Sequence, residues 1–283
     1  MFSRSRRLSR ESQRVNGSKH GSEHGRAKAA YIMIGMLLRK TAFLLFFCSL
    51  LAAPVAALDL RSAVVVAPAG LMGPEKKAAA MLVDEIEKRT RIRLAVGATW
   101  SGVGTAILLG QESAVAASAA GGRRLAERLR PPQPGADGYR LQVIGGVILV
   151  VGNDARGTLF GAGALLRRLR MERDTLEISD TLSIASAPKY ALRGHQLGYR
   201  PKTNSYDGWS VPVWEQYLRD LVVFGTNAVE LIPPRSDDAA DSPHFPLPPM
   251  PMMVEMSRLA DSYGLDVWIW YPSMERIIPI RKL

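Results

Sequence analysis

The residues of this 283-residue chain whose types suit chemistry gather in its last third: Arg193, His195, Asn204, Asp207, Glu230 and His244, followed by Trp268 and Trp270. A planar guanidinium with five N–H donors, such as that of Arg193, suits vicinal hydroxyls; a structural ion pair is the competing role. Glu230 lies in an otherwise largely apolar strand, Asn227 to Ile232, where an unpaired carboxylate would be costly to bury. It therefore either faces solvent or has a partner. His195 and Asp207 border a polar stretch that suits a surface loop equally well. The indoles of Trp268 and Trp270 can stack on a sugar ring or simply pack. His195 and His244 lack a third ligand at useful spacing, so no metal site and no cofactor are expected.

Two other motifs invite chemistry and lose it on inspection. Gly161-Ala162-Gly163 echoes the dinucleotide fingerprint, yet Leu166 stands where the third glycine belongs and the pair lies inside a helix. Neither a tight turn nor free amides for a pyrophosphate would be available there. Small residues that let a helix approach a sheet explain the pair better. The charges between Arg123 and Arg130 read as a solvated helix face rather than a phosphate patch.

The elements that must position these residues fall into two regions. In residues 58–187 the pattern predicts strands at Val64–Ala67, Ile92–Val96 and Ala106–Leu109, a helix over Glu75–Arg89 and a short helix over Arg123–Leu129. A hairpin follows, Gly138–Val143 and Val147–Val151 around Gly145-Gly146, and runs through Gly152-Asn153-Asp154 into a helix over Ala155–Leu169. In residues 188–283 the order is strand Ala191–His195, helix Val213–Phe224 capped by Gly225, strand Asn227–Ile232, helix Met252–Tyr263 capped by Gly264, and strand Leu265–Tyr271. Strand, helix, strand, helix, strand at this spacing argues for parallel βα units.

The formal charge of +11 suggests nucleic acid until it is divided: residues 1–57 carry ten Lys/Arg and two Asp/Glu, leaving 27 against 24 beyond them. No basic stripe interleaved with aromatics remains, so no nucleic-acid partner is expected. Within residues 36–57, Arg39-Lys40, an apolar run from Thr41 to Ala53 and Val55-Ala56-Ala57 form the pattern of a secretory signal peptide. The expected location is secreted or periplasmic, with membrane contact only through that signal. Residues 1–35 read as a disordered or mis-started leader, with translation beginning at Met33 or Met36. The single cysteine, Cys48, lies inside the signal, so no disulfide or thiol nucleophile is expected.

Asp137-Gly138-Tyr139-Arg140-Leu141, the second hairpin arm, Gly152-Asn153-Asp154-Ala155-Arg156-Gly157-Thr158-Leu159-Phe160-Gly161 and the Leu-rich helix resemble the small α/β domain that precedes the barrel in family 20 β-N-acetylhexosaminidases. A similar domain accompanies related glycoside hydrolases, α-glucuronidases among them. The resemblance covers residues 60–187 and implies a supporting domain without chemistry. It further implies that Pro188–Gly194 enters the first strand of an eight-unit β/α barrel, and that Trp214 through Asn227 forms the next helix and strand. The fold class expected is α/β: a small α/β sandwich followed by the first three or so βα units of a TIM-type barrel. About 95 residues follow residue 187, whereas a barrel needs roughly 250.

By the same resemblance the arginine of an Arg-Gly pair on the first strand binds sugar hydroxyls, which selects Arg193; Glu230, His195 and Asp207 are the weaker substrate-binding candidates. The family's acidic pair ends the fourth strand and has no counterpart here, so no catalytic residue is assigned and the chain is expected to be inactive on glycosides. The gene is expected to continue past Leu283. This chain departs from the family at Gly198, where an aspartate is usual, and at Glu230-Leu231-Ile232, where histidines are usual. The substrate class is thus a carbohydrate, N-acetylhexosaminide or uronic-acid-decorated. The competing reading is a non-catalytic carbohydrate-binding or interaction module.

Overall fold

The computed structural model describes residues 57–71, 73–197, 205–231, 241 and 243–269; the signal, Asn204, Trp270 and the last residues lie outside them. In chain order the elements are β1 (Ala57–Asp59), β2 (Val64–Val66), α1 (Pro74–Thr90), β3 (Ala95–Gly97), β4 (Ala106–Gln111), α2 (Glu112–Ser118), α3 (Gly122–Glu127), β5 (Tyr139–Ile144), β6 (Val147–Gly152) and α4 (Ala155–Leu166). They continue with β7 (Arg170–Glu172), β8 (Thr175–Ser179), β9 (Ser183–Ser186), β10 (Gly194–Gln196), a 3-10 turn (Ser205–Gly208), α5 (Val211–Val223), β11 (Ala228–Leu231), α6 (Pro249–Ser262) and β12 (Asp266–Ile269). The architecture is mixed α/β.

The central sheet has the order β3-β2-β4-β6-β5-β9. Its first four strands are parallel, and β5 joins antiparallel through the two-residue turn Gly145-Gly146, whose φ angles of 57° and 85° only glycine adopts without cost. All six residues of β6 are buried because both faces are covered. On one face Val65, Ile107, Leu141, Ile148 and Val150 meet α1 and α4; on the other Val66, Leu108, Leu149 and Val151 meet Val115, Leu125 and Leu129 of the α2–α3 segment. The alternation along each strand assigns these sets without exception.

Several boundaries differ from the sequence reading, for local reasons. The strand expected at Ile92–Val96 begins only at Ala95, after Arg91 takes a left-handed conformation, φ 66°, at the end of α1. Helix α2 and strands β1 and β7 are too short for periodicity to show them, whereas β8 does alternate, Leu176 and Ile178 buried between polar neighbours, and is an element the sequence reading lacks. Ala57, the last residue of the expected signal, is the first residue of β1 and pairs with Ser179.

Helix α4 is buried at every position from Gly157 to Leu166. A helix apolar all round must be enclosed, and here the sheet, α1 and α5 together surround it. Its two glycines serve different contacts. A Cβ on Gly161 would lie 3.0 Å from Val150 Cγ1 and 3.1 Å from Tyr139 Cβ, against the sheet, whereas one on Gly163 would lie 2.9 Å from Val223 Cα, against the end of α5. The expectation of close helix–sheet approach holds for Gly161; Gly163 instead admits a neighbouring helix.

Trp214, Leu218 and Val222 of α5, Met256 and Leu259 of α6, and Val229 of β11 belong to the same core cluster as α1 and α4. Residues 55–283 form one compact unit. Among the described residues no helix is long and apolar enough to cross a membrane.

Candidate functional site

The third sheet, β10-β11-β12, is parallel throughout, with Gly194, Ala228 and Asp266 in one row, His195, Val229 and Val267 in the next, and Gln196, Glu230 and Trp268 in a third. Helices α5 and α6 connect the strands, each with a proline in its first two positions and each followed by a glycine at positive φ, Gly225 and Gly264. Val229 is buried among the helices. Side chains alternate along a strand, so Glu230 faces away from them, and its row partners Gln196 and Trp268 share that open face. Trp268 is 58% exposed and Glu230 half-buried, and among the described residues no hydrogen bond or ion pair reaches the Glu230 carboxylate.

His195 belongs to the helix-side row. Its Nδ1 lies 2.5 Å from the Tyr217 hydroxyl, and the two rings meet edge to face. Burial pushes the Tyr217 phenol up to about 12, so this hydroxyl keeps its proton at neutral pH. Asp207 lies in the turn after β10, at the C-terminal side of the sheet. There Gly208 packs against His244: a Cβ on it would stand 3.1 Å from the imidazole Cε1. Beside this turn Tyr206, Trp209, Trp214 and Tyr217 form an aromatic cluster with ring centroids 4.9 to 6.4 Å apart. The sequence reading takes Gly198 to Trp209 as a polar surface loop and Trp214 and Tyr217 as apolar positions of the next helix; the i, i+5 and i+8 spacing from Trp209 to Tyr217 is the signal that joins them.

Arg193 sits elsewhere. The strand was expected to run from Ala191 to His195 with Arg193 near its C-terminal end, but β10 begins at Gly194 and Arg193 precedes it. Its Nε donates to the Gly225 carbonyl at 2.7 Å, one terminal nitrogen donates to the Tyr190 and Ala191 carbonyls at 2.9 and 3.1 Å, and the other donates to Asp137 Oδ2 at 2.8 Å. Asp137 is buried and also accepts from Arg156 Nε at 2.8 Å and from Asn227 Nδ2 at 3.4 Å. Asn227 in turn accepts the Arg193 backbone N–H at 2.8 Å. These contacts describe the ion pair that the sequence left as the competing role. They tie the hairpin of the first region to the start of the parallel sheet.

A second knot fixes α5 and α6 against α1. Arg219 donates to Glu85 Oε1 at 3.1 Å, to Asp84 Oδ2 at 3.3 Å and to the buried Tyr263 hydroxyl at 3.2 Å, and Lys77 pairs with Glu215 at 2.6 Å. Burial alone would raise the Glu85 carboxyl; hydrogen bonds from Arg89, Lys88 and Arg219 outweigh it and hold the group down at about 2. Burial also works against the Arg219 charge, but Tyr263, Glu85 and Asp84 raise its pKa instead.

Of the four sequence-selected residues, Glu230 and Asp207 thus lie toward the C-terminal side of the sheet, His195 faces the helices, and Arg193 lies at the opposite end of its strand. No described group of three or more His, Cys, Asp or Glu side chains is placed to hold a metal. The arrangement offers an open face with a free carboxylate, an amide and an indole. Those are groups that accept hydroxyl hydrogen bonds and stack on a ring.

No protein-family model matches the chain, and no curated protein matches its sequence. Solved structures do resemble it. A mutant Streptomyces plicatus β-hexosaminidase in complex with its product GlcNAc is 16% identical, with TM-score 0.51 over 77% of this chain and 44% of its own. The protein CpGH84B is 15% identical, with TM-score 0.51 over 76% of this chain and 34% of its own. BtGH115A, a family GH115 4-O-methyl-α-glucuronidase with specificity for decorated arabinogalactans, is 14% identical, with TM-score 0.52 over 74% of this chain and 29% of its own. The chain therefore has a fold found in glycoside hydrolases and spans less than half the length of each.

Proposed function

We propose that the chain is the N-terminal portion of an exported glycoside hydrolase that cleaves O-glycosyl bonds, acting on an N-acetylhexosaminide or on a uronic-acid-decorated glycan. The observation that carries this reading is the shared fold. The matched share, 74–77% of the chain, exceeds what residues 58–187 supply and so extends into the parallel sheet. In this account β10, β11 and β12 with α5 and α6 are the first three units of a β/α barrel, residues 58–187 are the support beneath it, and residues 36–57 direct export.

The face bearing Gln196, Glu230 and Trp268 is then the barrel interior, and the turn carrying Asp207 opens at its C-terminal rim, where barrel enzymes bind substrate. Glu230 would accept from sugar hydroxyls, with Asp207 at the rim. Arg193 and His195 would act by positioning β10, through Asp137 and Tyr217. Glycoside hydrolysis needs an acid group and a second group on opposite sides of the scissile bond, and in this account they come from units beyond the third strand. The purified chain, incubated with an aryl N-acetyl-β-glucosaminide and an aryl α-glucuronide, is expected to give no turnover. Turnover that disappears in Glu230→Gln would overturn the assignment of catalysis to later units.

A further inference from the structure

At the N-terminal end of β10, away from the Glu230 face, lies a cleft of about 180 Å³ between the ends of α4 and α5 and the segment joining β9 to β10. Tyr139, Phe160 and Pro188 form its apolar wall, with the largely buried Phe160 ring under the Arg193 guanidinium 5.2 Å from its centroid, and Ser186 contributes a hydroxyl. Two guanidinium groups, Arg167 and Arg193, and one carboxylate, Asp137, line it. That carboxylate is already satisfied, because Oδ1 accepts from Arg156 while Oδ2 accepts from Arg193 and Asn227. Arg193 in turn spends most of its donors on carbonyls and on Asp137.

Arg167 differs. It follows the last residue of α4, is exposed, and among the described residues its guanidinium has no carboxylate or carbonyl acceptor; it stands 5.5 Å from the centroid of the Phe224 ring. Phe224 is 75% exposed at the end of α5. The cleft thus combines an apolar wall with a guanidinium that stands over the exposed Phe224 ring and whose fork of donors is open. With the carboxylate neutralised, the local balance favours an anion.

We propose that this cleft binds a small organic carboxylate with a flat apolar body, the carboxylate taken in bidentate fashion by Arg167 and the body lying between Phe224 and the Tyr139–Phe160 wall. Arginine suits this role better than lysine because its two parallel N–H groups match a carboxylate. A ligand of about ten heavy atoms fits such a volume and would bind with a dissociation constant on the order of millimolar. The site lies at the opposite end of β10 from Glu230 and Asp207, so it stands or falls independently of the hydrolase reading.

The test is a titration of the full chain with 4-fluorobenzoate followed by fluorine NMR, with 4-fluorobenzyl alcohol as the neutral counterpart of the same shape. The expected result is saturable binding of the benzoate, about tenfold tighter than the alcohol, with a loss of about tenfold in Arg167→Gln and partial recovery in Arg167→Lys. Phe224→Ala should weaken both probes, and Glu230→Gln should change neither. Equal binding of the two probes, an Arg167→Gln variant that binds as the parent does, or no binding at all would each overturn the proposal. Arg167 is exposed and its one side-chain contact among the described residues is with the exposed Phe224 ring, so the variant is expected to fold normally.

Discussion

The contact between Glu85 of α1 and Arg219 of α5 is the sharpest test of how the two regions are joined. Glu85 is 3% and Arg219 7% exposed, and they lie 3.1 Å apart. Removing one partner of a fully buried pair costs about 3–5 kcal/mol. Here each keeps other partners: Glu85 retains Lys88 and Arg89, and Arg219 retains Asp84 and Tyr263. The expected losses are therefore smaller, about 2 kcal/mol for Glu85→Gln and about 3 kcal/mol for Arg219→Met, which also leaves the Tyr263 hydroxyl short of a donor. The double variant should cost about 1–2 kcal/mol less than their sum, because the two share one interaction. Urea unfolding followed by both tryptophan fluorescence and far-ultraviolet dichroism measures these values. It also asks whether the shared core unfolds in one transition. Additive losses within about 0.5 kcal/mol, or two signals with different midpoints in the parent chain, would refute the reasoning.

The remaining expectations are narrower. Glu85 is held near 2 against an ordinary value of 4.5, so its contribution is present above pH 4.5 and is lost as pH falls toward 2; Glu85→Gln should flatten stability over that window by about 2 kcal/mol, less than the full shift implies because its partners Lys88 and Arg89 are half exposed. At the other extreme, burial raises Tyr217 and Tyr263 from 10 to about 12, so stability present below pH 10 should fall as pH rises through 10 to 12, readable from phenolate absorbance against unfolding. Gly163→Ala drives a methyl against the Val223 backbone and should cost about 1–3 kcal/mol in denaturant unfolding. Asp137→Asn keeps a residue that tolerates the φ of 56° found there yet removes the charge between Arg156 and Arg193, so a loss of about 2–3 kcal/mol should appear without a change in the dichroism spectrum.

Periodicity revealed the elements that bury much and hid those that bury little. The hairpin β5–β6, helices α1, α4, α5 and α6 and the strands they connect carry apolar residues at spacing 2 or 3.6, and all were found to within a few residues. Helix α2 and strands β7 and β9 are too short to show such a pattern, and β8 carries it only in Leu176 and Ile178; the backbone bonds of these strands are set by neighbours in space, such as Ser183–Ser186 lying along β5. The candidate site was legible as residue types but not as placement. Nothing in Leu192-Arg193-Gly194 says that the guanidinium turns back to the Gly225 carbonyl and to Asp137, 56 residues earlier in the chain. Nor does the sequence alone put His195 and Glu230 on opposite faces of one sheet. That follows from the register, which pairs His195 with Val229 and Gln196 with Glu230.

The central claim is that the parallel sheet begins a barrel whose chemistry lies in later units. Sequencing the coding DNA beyond the Leu283 codon and reading all three frames tests it most directly. The account expects further alternating strand and helix patterns, with a pair of carboxylates where the fourth strand ends. Unrelated sequence in every frame would contradict it.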